Sequence, residues 1–219
     1  MAKSKSPVSE RIFEEIRDAV TFGHLKPGER LSEKRLCGEF RVSRTPLREA
    51  LRKLQAQGYI TLEANVGATV RKISLEEVED IYDILSLLEP HAAMLAAAGR
   101  TKEDIRTLKH IFQGMNVQSA KDDYRVWVRK NDDFHNCIHM MSRRSVLSET
   151  IHYLRNRIYR FRILITGREY VENYSLEHEK ILDAIISGDG KEAAKHMRKH
   201  LVSVRNNRVM FLRDYPELL

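Results

Sequence analysis

The sequence predicts a mainly α-helical protein with two domains, a small N-terminal domain that ends in a β-hairpin and a larger domain built only from helices. Three observations lead to this fold class. Apolar residues recur at helical spacing along most of the 219 residues. One short segment near residue 60 alternates between apolar and polar residues instead, as a strand does. The positive charge is concentrated before residue 73, so we expect domains at 1–73 and 74–219.

Three short helices are predicted before the hairpin. The first covers residues 9–22, whose apolar side chains share one face. Ser32 can cap the second, which ends at residue 40, and the third covers residues 43–57 with Pro46 in its first turn. Because only a few residues separate the second and third helices, their spacing is that of a helix-turn-helix motif.

The third helix has two unlike faces. One is apolar, and the other carries arginines four residues apart, Arg44, Arg48 and Arg52. Residues 59–71 follow as a predicted hairpin, or wing, with Gly67 in its turn. A winged helix-turn-helix of this kind reads double-stranded DNA with the helix in the major groove and the wing along the minor groove. A solvated arginine surface is the alternative interpretation.

The charge distribution agrees with a nucleic-acid partner. Residues 1–72 contain 15 lysines and arginines against 9 acidic residues, whereas residues 73–219 contain 23 against 22. A basic small domain beside a neutral larger one indicates that the small domain meets a polyanion. The sequence has no apolar run of membrane-spanning length, no apolar segment behind its N-terminal lysines and only two cysteines, so we expect a cytoplasmic protein without membrane contact.

From residue 74 onward the pattern predicts a bundle of about six helices, and three of the chain's nine histidines stand apart there. Asn131 and His135 lie four residues apart on one helix face, His178 follows the predicted helix cap Ser175, and His200 lies on the last helix. Helical bundles build metal sites from inward side chains on different helices, and imidazoles suit zinc and related divalent ions. Packed core histidines are the alternative.

The N-terminal motifs also carry a family resemblance. The Leu-x-Pro-Gly before the second helix, the Ser-Arg-Thr-Pro-Leu-Arg-Glu-Ala-Leu of the third helix and the wing glycine resemble the DNA-binding domain of the GntR family of bacterial transcription factors. The resemblance implies contacts with phosphates and bases, and a wing tip that enters the minor groove. The candidate DNA-contacting residues are Arg35, Ser43, Arg44, Thr45, Arg48 and Gly67.

Residues 78–202 are similar to the FCD effector domain of the FadR branch of that family. The similar segments are Asn131-Asp-Asp-Phe-His135, the Glu-His pair at 177–178 and Met197 to Leu201. The resemblance implies a metal ion at the floor of a ligand cavity, held by Asn131, His135, His178 and His200. Three positions depart from the common pattern: Asn131 replaces an Asp, which removes one anionic ligand, Leu85 replaces an Arg, and Arg144 replaces an Asn.

Together these features predict a homodimeric, ligand-responsive regulator, most simply a repressor, with an all-α effector domain. We expect zinc as the metal, with manganese or nickel as alternatives, and a small carboxylate effector assisted by Arg160 or Arg162. The rival hypothesis is a metal-dependent hydrolase that uses the three histidines with Glu177 or Glu179 as base. A DNA-architectural protein without a ligand is the third possibility.

Overall fold

The computed structural model describes residues 7–63, 67–115, 123–158, 170–216 and 219. These residues form two compact units, one that extends to Ser74 and one that spans Leu75–Pro216, and each is described by itself. Within these ranges, no helix combines the length and the apolar content that a membrane crossing requires.

The first unit is a winged helix-turn-helix, which confirms the predicted fold class. Its apolar core comes from one face of each helix and from the inward side chains of the strands, Ile12, Ile16, Leu36, Leu47, Leu51, Leu54, Ile60 and Val70 among them. The elements in chain order are α1 (Val8–Thr21), β1 (Arg30–Leu31), α2 (Glu33–Phe40), α3 (Arg44–Ala56), β2 (Ile60–Glu63) and β3 (Gly67–Val70).

The three strands form one antiparallel sheet in the order β1-β3-β2. The hairpin register pairs Ile60 with Val70 and Glu63 with Gly67. Strand β1 was not predicted, because two residues are too short to show a strand period. It is defined by its pairing with β3, Arg30 with Thr69 and Leu31 with Ala68. Gly67 has a φ of +93°, a backbone conformation that side chains rarely allow, which explains glycine at this point of the wing.

The second unit is all-helical in its described part, as predicted. Thr101 caps α5 in a reciprocal box with Asp104, and the Asp189 side chain caps the last helix. The prediction that Ser175 is a cap is wrong, because buried Val171 and Tyr174 extend the apolar face of that helix one turn further back. The helices are α4 (Leu75–Gly99), α5 (Lys102–Gln113), α6 (Tyr124–Met141), α7 (Ser145–Arg157), α8 (Val171–Ser187) and α9 (Gly190–Asp214).

Helix α4 is the central element of this unit and contacts α6, α7, α8 and α9. Its apolar residues lie on more than one face, and it continues through Pro90, which leaves one carbonyl without its helical donor. Helix α9 runs antiparallel to it, since Arg213 pairs with Glu79 at one end and Gly190 lies against Met94 at the other. The α4–α9 pair therefore provides one wall of the interior on which the candidate site is built.

Candidate functional site

The candidate DNA-contacting residues lie on the surface of the first unit. Ser43, Arg44, Thr45 and Arg48 are all exposed at the start of α3. Ser43 occupies the position before the helix, but its side chain makes no capping hydrogen bond. Its hydroxyl and the first amide groups of α3 can therefore donate to a phosphate, as helix N-termini commonly do.

Two of the candidate arginines are held by carboxylates. The Nε atom of Arg48 lies 3.1 Å from each carboxylate oxygen of Glu33, so that α3 is tied to α2. Arg35 lies 3.6 Å from Glu29 and from Glu39. Exposed ion pairs of this kind contribute little free energy, so a DNA phosphate can displace them. Gly67 is exposed on the hairpin, and apart from its chain neighbours no atom of the described residues lies within 4 Å of the place where its Cβ would be.

The three predicted histidines come together in the second unit. His135 from α6, His178 from α8 and His200 from α9 each offer a nitrogen, and these nitrogens lie within 4.8 Å of one another. The three side chains are at most 3% exposed. Asn131 lies one turn before His135 and lines the same cavity. Arg160 and Arg162, the predicted effector contacts, lie outside the described residues.

Two carboxylates orient the imidazoles. The Nδ1 atom of His135 lies 2.9 Å from Oε2 of Glu89, and the Nδ1 atom of His200 lies 2.8 Å from Oε2 of Glu177. Because an ionised carboxylate only accepts, each Nδ1 donates, and the Nε2 of a neutral ring then presents a lone pair. This arrangement of a histidine donating to a carboxylate is the usual support of a metal-ligating imidazole.

The spacing of the nitrogens fits a metal ion. The Nε2 atoms of His135 and His178 are 3.2 Å apart. Two imidazole nitrogens bound at about 2.0–2.1 Å to a tetrahedral zinc ion lie roughly 3.3 Å apart. Two lone pairs facing each other at this distance repel unless a proton or a cation lies between them. The donor set is thus chemically suited to a divalent transition metal.

A buried charge network, which is not among the features predicted from the sequence, supports the histidines. Glu89 is fully buried and accepts a hydrogen bond from Nη1 of Arg155 at 2.6 Å, while Nε2 of His139 lies 3.2 Å from its other oxygen. Burial by itself would raise the pKa of Glu89, but Arg155 and the histidines hold it well below its ordinary value. Glu89 lies four residues after Leu85 and therefore on the buried face of α4, and this spacing is the sequence signal for a buried carboxylate.

The cavity beside the histidines is small and is lined by both apolar and polar side chains. About 30 Å³ is open to the centres of water molecules, which is enough for roughly two or three waters or a small ligand. Arg208 is nearly buried at this wall, and burial lowers its pKa to about 9, so that it stays cationic at neutral pH. The lining includes Tyr82, Leu85, Trp127, Val128, Asn131, His135, Arg155, Tyr174, His200, Leu201, Val204 and Arg208.

The metal-free protein is expected to lose stability as the pH falls from about 7 to about 5. Burial first, and then the charge of Arg155, lower the pKa of His135 well below its ordinary value of 6.5. The unfolded chain therefore takes up a proton below pH 6.5 that the folded chain does not. For this one histidine the free energy of unfolding falls by up to about 1.4 kcal/mol per pH unit.

Urea unfolding with a chelator present measures this effect. Trp127 is the only tryptophan of the chain and its ring centroid lies 6.5 Å from that of His178, so its fluorescence reports on this unit. The loss of stability with acid should be shallower in His135→Gln than in wild type, whereas the exposed control His91→Gln should follow wild type. Equal slopes for wild type and His135→Gln would contradict the prediction.

Comparison with known proteins gives consistent matches to both units. Residues 8–70 match the family model of the bacterial regulatory proteins of the gntR family, and residues 80–203 match that of the FCD domain. The chain is 29% identical over 209 residues to the HTH-type transcriptional regulator LutR of Bacillus subtilis (strain 168), covering 84% of this chain and 93% of LutR. It is 26% identical over 199 residues to the HTH-type transcriptional repressor RspR of Escherichia coli (strain K12), covering 90% and 87%.

A solved structure shows the same fold. McbR/YncC of E. coli superposes with a TM-score of 0.78 at 20% identity, covering 92% of this chain and 98% of that one. At this level of identity the likeness concerns the fold alone.

Proposed function

We propose that this chain, which belongs to the GntR family of bacterial transcriptional regulators and carries the FCD domain, is a cytoplasmic, homodimeric repressor. In this proposal, a small carboxylate metabolite bound beside a divalent metal sets the affinity for the operator. The observation that carries the proposal is that His135, His178 and His200 bring their nitrogens within 4.8 Å of one another in the FCD domain, where His135 and His200 line a cavity. Repression, as opposed to activation, is supported by the relative RspR, which is named a transcriptional repressor.

The metal would be held by the three imidazole nitrogens, with the amide oxygen of Asn131 as a further ligand. When bound, zinc, or manganese or nickel in its place, supplies a Lewis-acidic cation that can accept a carboxylate oxygen. Because all four side chains are neutral, they leave the charge of the ion uncompensated. The role of Glu89 and Glu177 is to hold His135 and His200 in the tautomer that presents Nε2.

The proposed regulation is a coupling between two sites. A ligand that binds one arrangement of the helical domain more tightly shifts the population towards that arrangement. A dimer reads two half-sites at a fixed spacing, so a shift in how its two DNA-binding domains are presented changes operator affinity. Whether the ligand releases or strengthens DNA binding depends on which arrangement it prefers.

The hydrolase hypothesis is not retained. The family consists of transcriptional regulators, and the two curated relatives carry regulator names. Within the described chain the proposed bases are also poorly placed. Glu177 already accepts from His200 at 2.8 Å, and Glu179 is exposed.

An operator titration tests the proposal. Duplexes selected from a random library identify the preferred site, and fluorescence anisotropy then measures affinity with and without zinc and a panel of small acids. A repressor should prefer its site over random DNA by at least roughly 10³-fold, and an effector should change that affinity by about 5- to 150-fold. Binding without sequence preference would indicate the architectural alternative, and no response to any acid would remove the carboxylate effector.

Replacing Glu177 by Gln is expected to weaken metal binding by about tenfold. The amide can still accept from His200, but it lacks the negative charge that makes this imidazole a better ligand. Competition with a chromogenic zinc chelator measures the affinity. The matched control is Glu179→Gln, two residues further along α8 and exposed, which should bind metal as wild type does. Wild-type affinity in Glu177→Gln would show that this carboxylate does not support the site.

A further inference from the structure

Arg208 on α9 is a buried cation with no counter-charge among the residues that the structure describes. The residue is 6% exposed, and its Nε atom is shielded from solvent without a hydrogen-bond partner in the described ranges. No carboxylate from those ranges pairs with it, in contrast to Arg155, which has Glu89 and Asp132. Removing an unpaired charge from water is costly, so a protein that keeps one has a use for it.

Arg208 shares its cavity with two further polar groups that can donate a hydrogen bond and lack a partner in the described ranges. Its guanidinium carbon lies 5.4 Å from the ring centre of Tyr82, and both residues line the cavity. The Tyr82 hydroxyl and the Trp127 indole nitrogen on the same lining are likewise shielded, with no partner among the residues described. Three donors without acceptors around one cavity suit a guest that brings oxygen acceptors and negative charge.

Arg208 and Tyr82 are separated from the histidines by apolar side chains, whereas Trp127 lies at the histidine end, with its ring centroid 6.5 Å from that of His178. His200 and Arg208 lie eight residues apart on α9, so their Cα atoms are about 12 Å apart along the helix axis. The side chain of Arg208 leans back towards the N-terminus of α9, as long helical side chains do, which shortens the gap. Leu201 and Val204 line the cavity between them, and Leu85 lines it from α4. The cavity thus has two ends that favour anions and an apolar middle.

We propose that Arg208 and Tyr82 form a second anion subsite, and that the effector is a short dicarboxylate with one carboxylate at the histidine end and the other at Arg208. The inference rests on the proposed function, because that function places the first carboxylate. The separation of about 12 Å along α9 between His200 and Arg208, part of which their side chains span, limits the spacer to a few carbon atoms.

The test compares two acids with the same number of carbon atoms. Succinate and butyrate differ by the second carboxylate, and Trp127 fluorescence in the zinc-loaded full chain follows their binding. In wild type, succinate should bind at least about tenfold more tightly than butyrate. In Arg208→Met the preference for succinate over butyrate should disappear, and Arg208→Lys should keep part of it. The matched control Arg205→Met, which removes a guanidinium paired with Asp83, should keep all of it.

A stability measurement separates an anion-binding residue from a structural one. Without ligand, Arg208→Met should raise the urea midpoint of the tryptophan transition, because it removes an unpaired buried charge while keeping an apolar chain. A lowered midpoint, or a succinate preference that survives in Arg208→Met, would overturn the inference. Equal binding of the two acids to wild type would also overturn it and leave the proposed function intact. If neither acid binds, the dicarboxylate inference fails, and the operator titration with other acids decides the proposed function separately.

Discussion

Replacing both His135 and His178 by alanine is expected to lower the metal content from about one equivalent per chain to a background level. The double variant loses two of the three imidazole ligands, and each ligand contributes at least about tenfold in metal affinity. In wild type their Nε2 atoms are 3.2 Å apart. His139, one turn after His135, directs its Nε2 at Glu89, 3.2 Å away, so residual metal in the double variant would point to Glu89 and His139. Elemental mass spectrometry of protein purified without an affinity tag gives the metal content directly.

The control for this experiment is His91→Ala, which removes an exposed imidazole from α4 and should retain the metal. Trp127 fluorescence shows whether the double variant is folded. A folded double variant with full metal content would place the metal elsewhere. If the wild-type protein takes up no zinc, manganese or nickel, then Asn131, in place of an acidic ligand, leaves the metal affinity of the site too low. The histidine–carboxylate pairs would then serve the packing of the bundle.

Replacing both Arg44 and Arg48 by alanine is expected to weaken operator binding by about 100-fold or more. A good bidentate contact with a base contributes about 1–3 kcal/mol, and two such contacts together reach this range. Both side chains are exposed at the start of α3, where a recognition helix meets base edges. Fluorescence anisotropy with the selected operator measures the loss.

Salt dependence distinguishes the role of each arginine. A variant that has lost a phosphate contact should bind all sequences less tightly and show a shallower dependence on salt, by about one unit of slope. A variant that has lost a base contact should lose its preference at one position of the operator. The control is Arg106→Ala on α5, which removes a guanidinium with a 75% exposed side chain from the helical unit. A loss smaller than about threefold in the double variant would contradict the assignment of α3 as the recognition helix.

The local structure of the chain could be predicted because it depends on neighbouring residues. Helix periodicity, the Ser32 cap and the hairpin pattern predict the winged helix-turn-helix, and the motif from Ser43 onward indicates its family. The candidate histidines could be selected from nine only through the resemblance, since spacing alone does not separate a ligand from a packed imidazole. The missed strand β1 and the missed helical turn before Ser175 are both cases in which pairing or packing extends an element beyond its local signal.

The fold class, the basic face of α3 and the family follow from the amino-acid sequence, because each depends on residues a few positions apart. The pairing of charges in the interior depends on the tertiary structure. Glu89 contacts residues 46, 50 and 66 positions away in the chain, and these contacts decide the tautomer of His135. The tertiary structure also places Arg208 beside Tyr82, without an acidic partner in the described part of the chain. Periodicity shows that a side chain faces inward, but the partner it meets there depends on how distant helices pack.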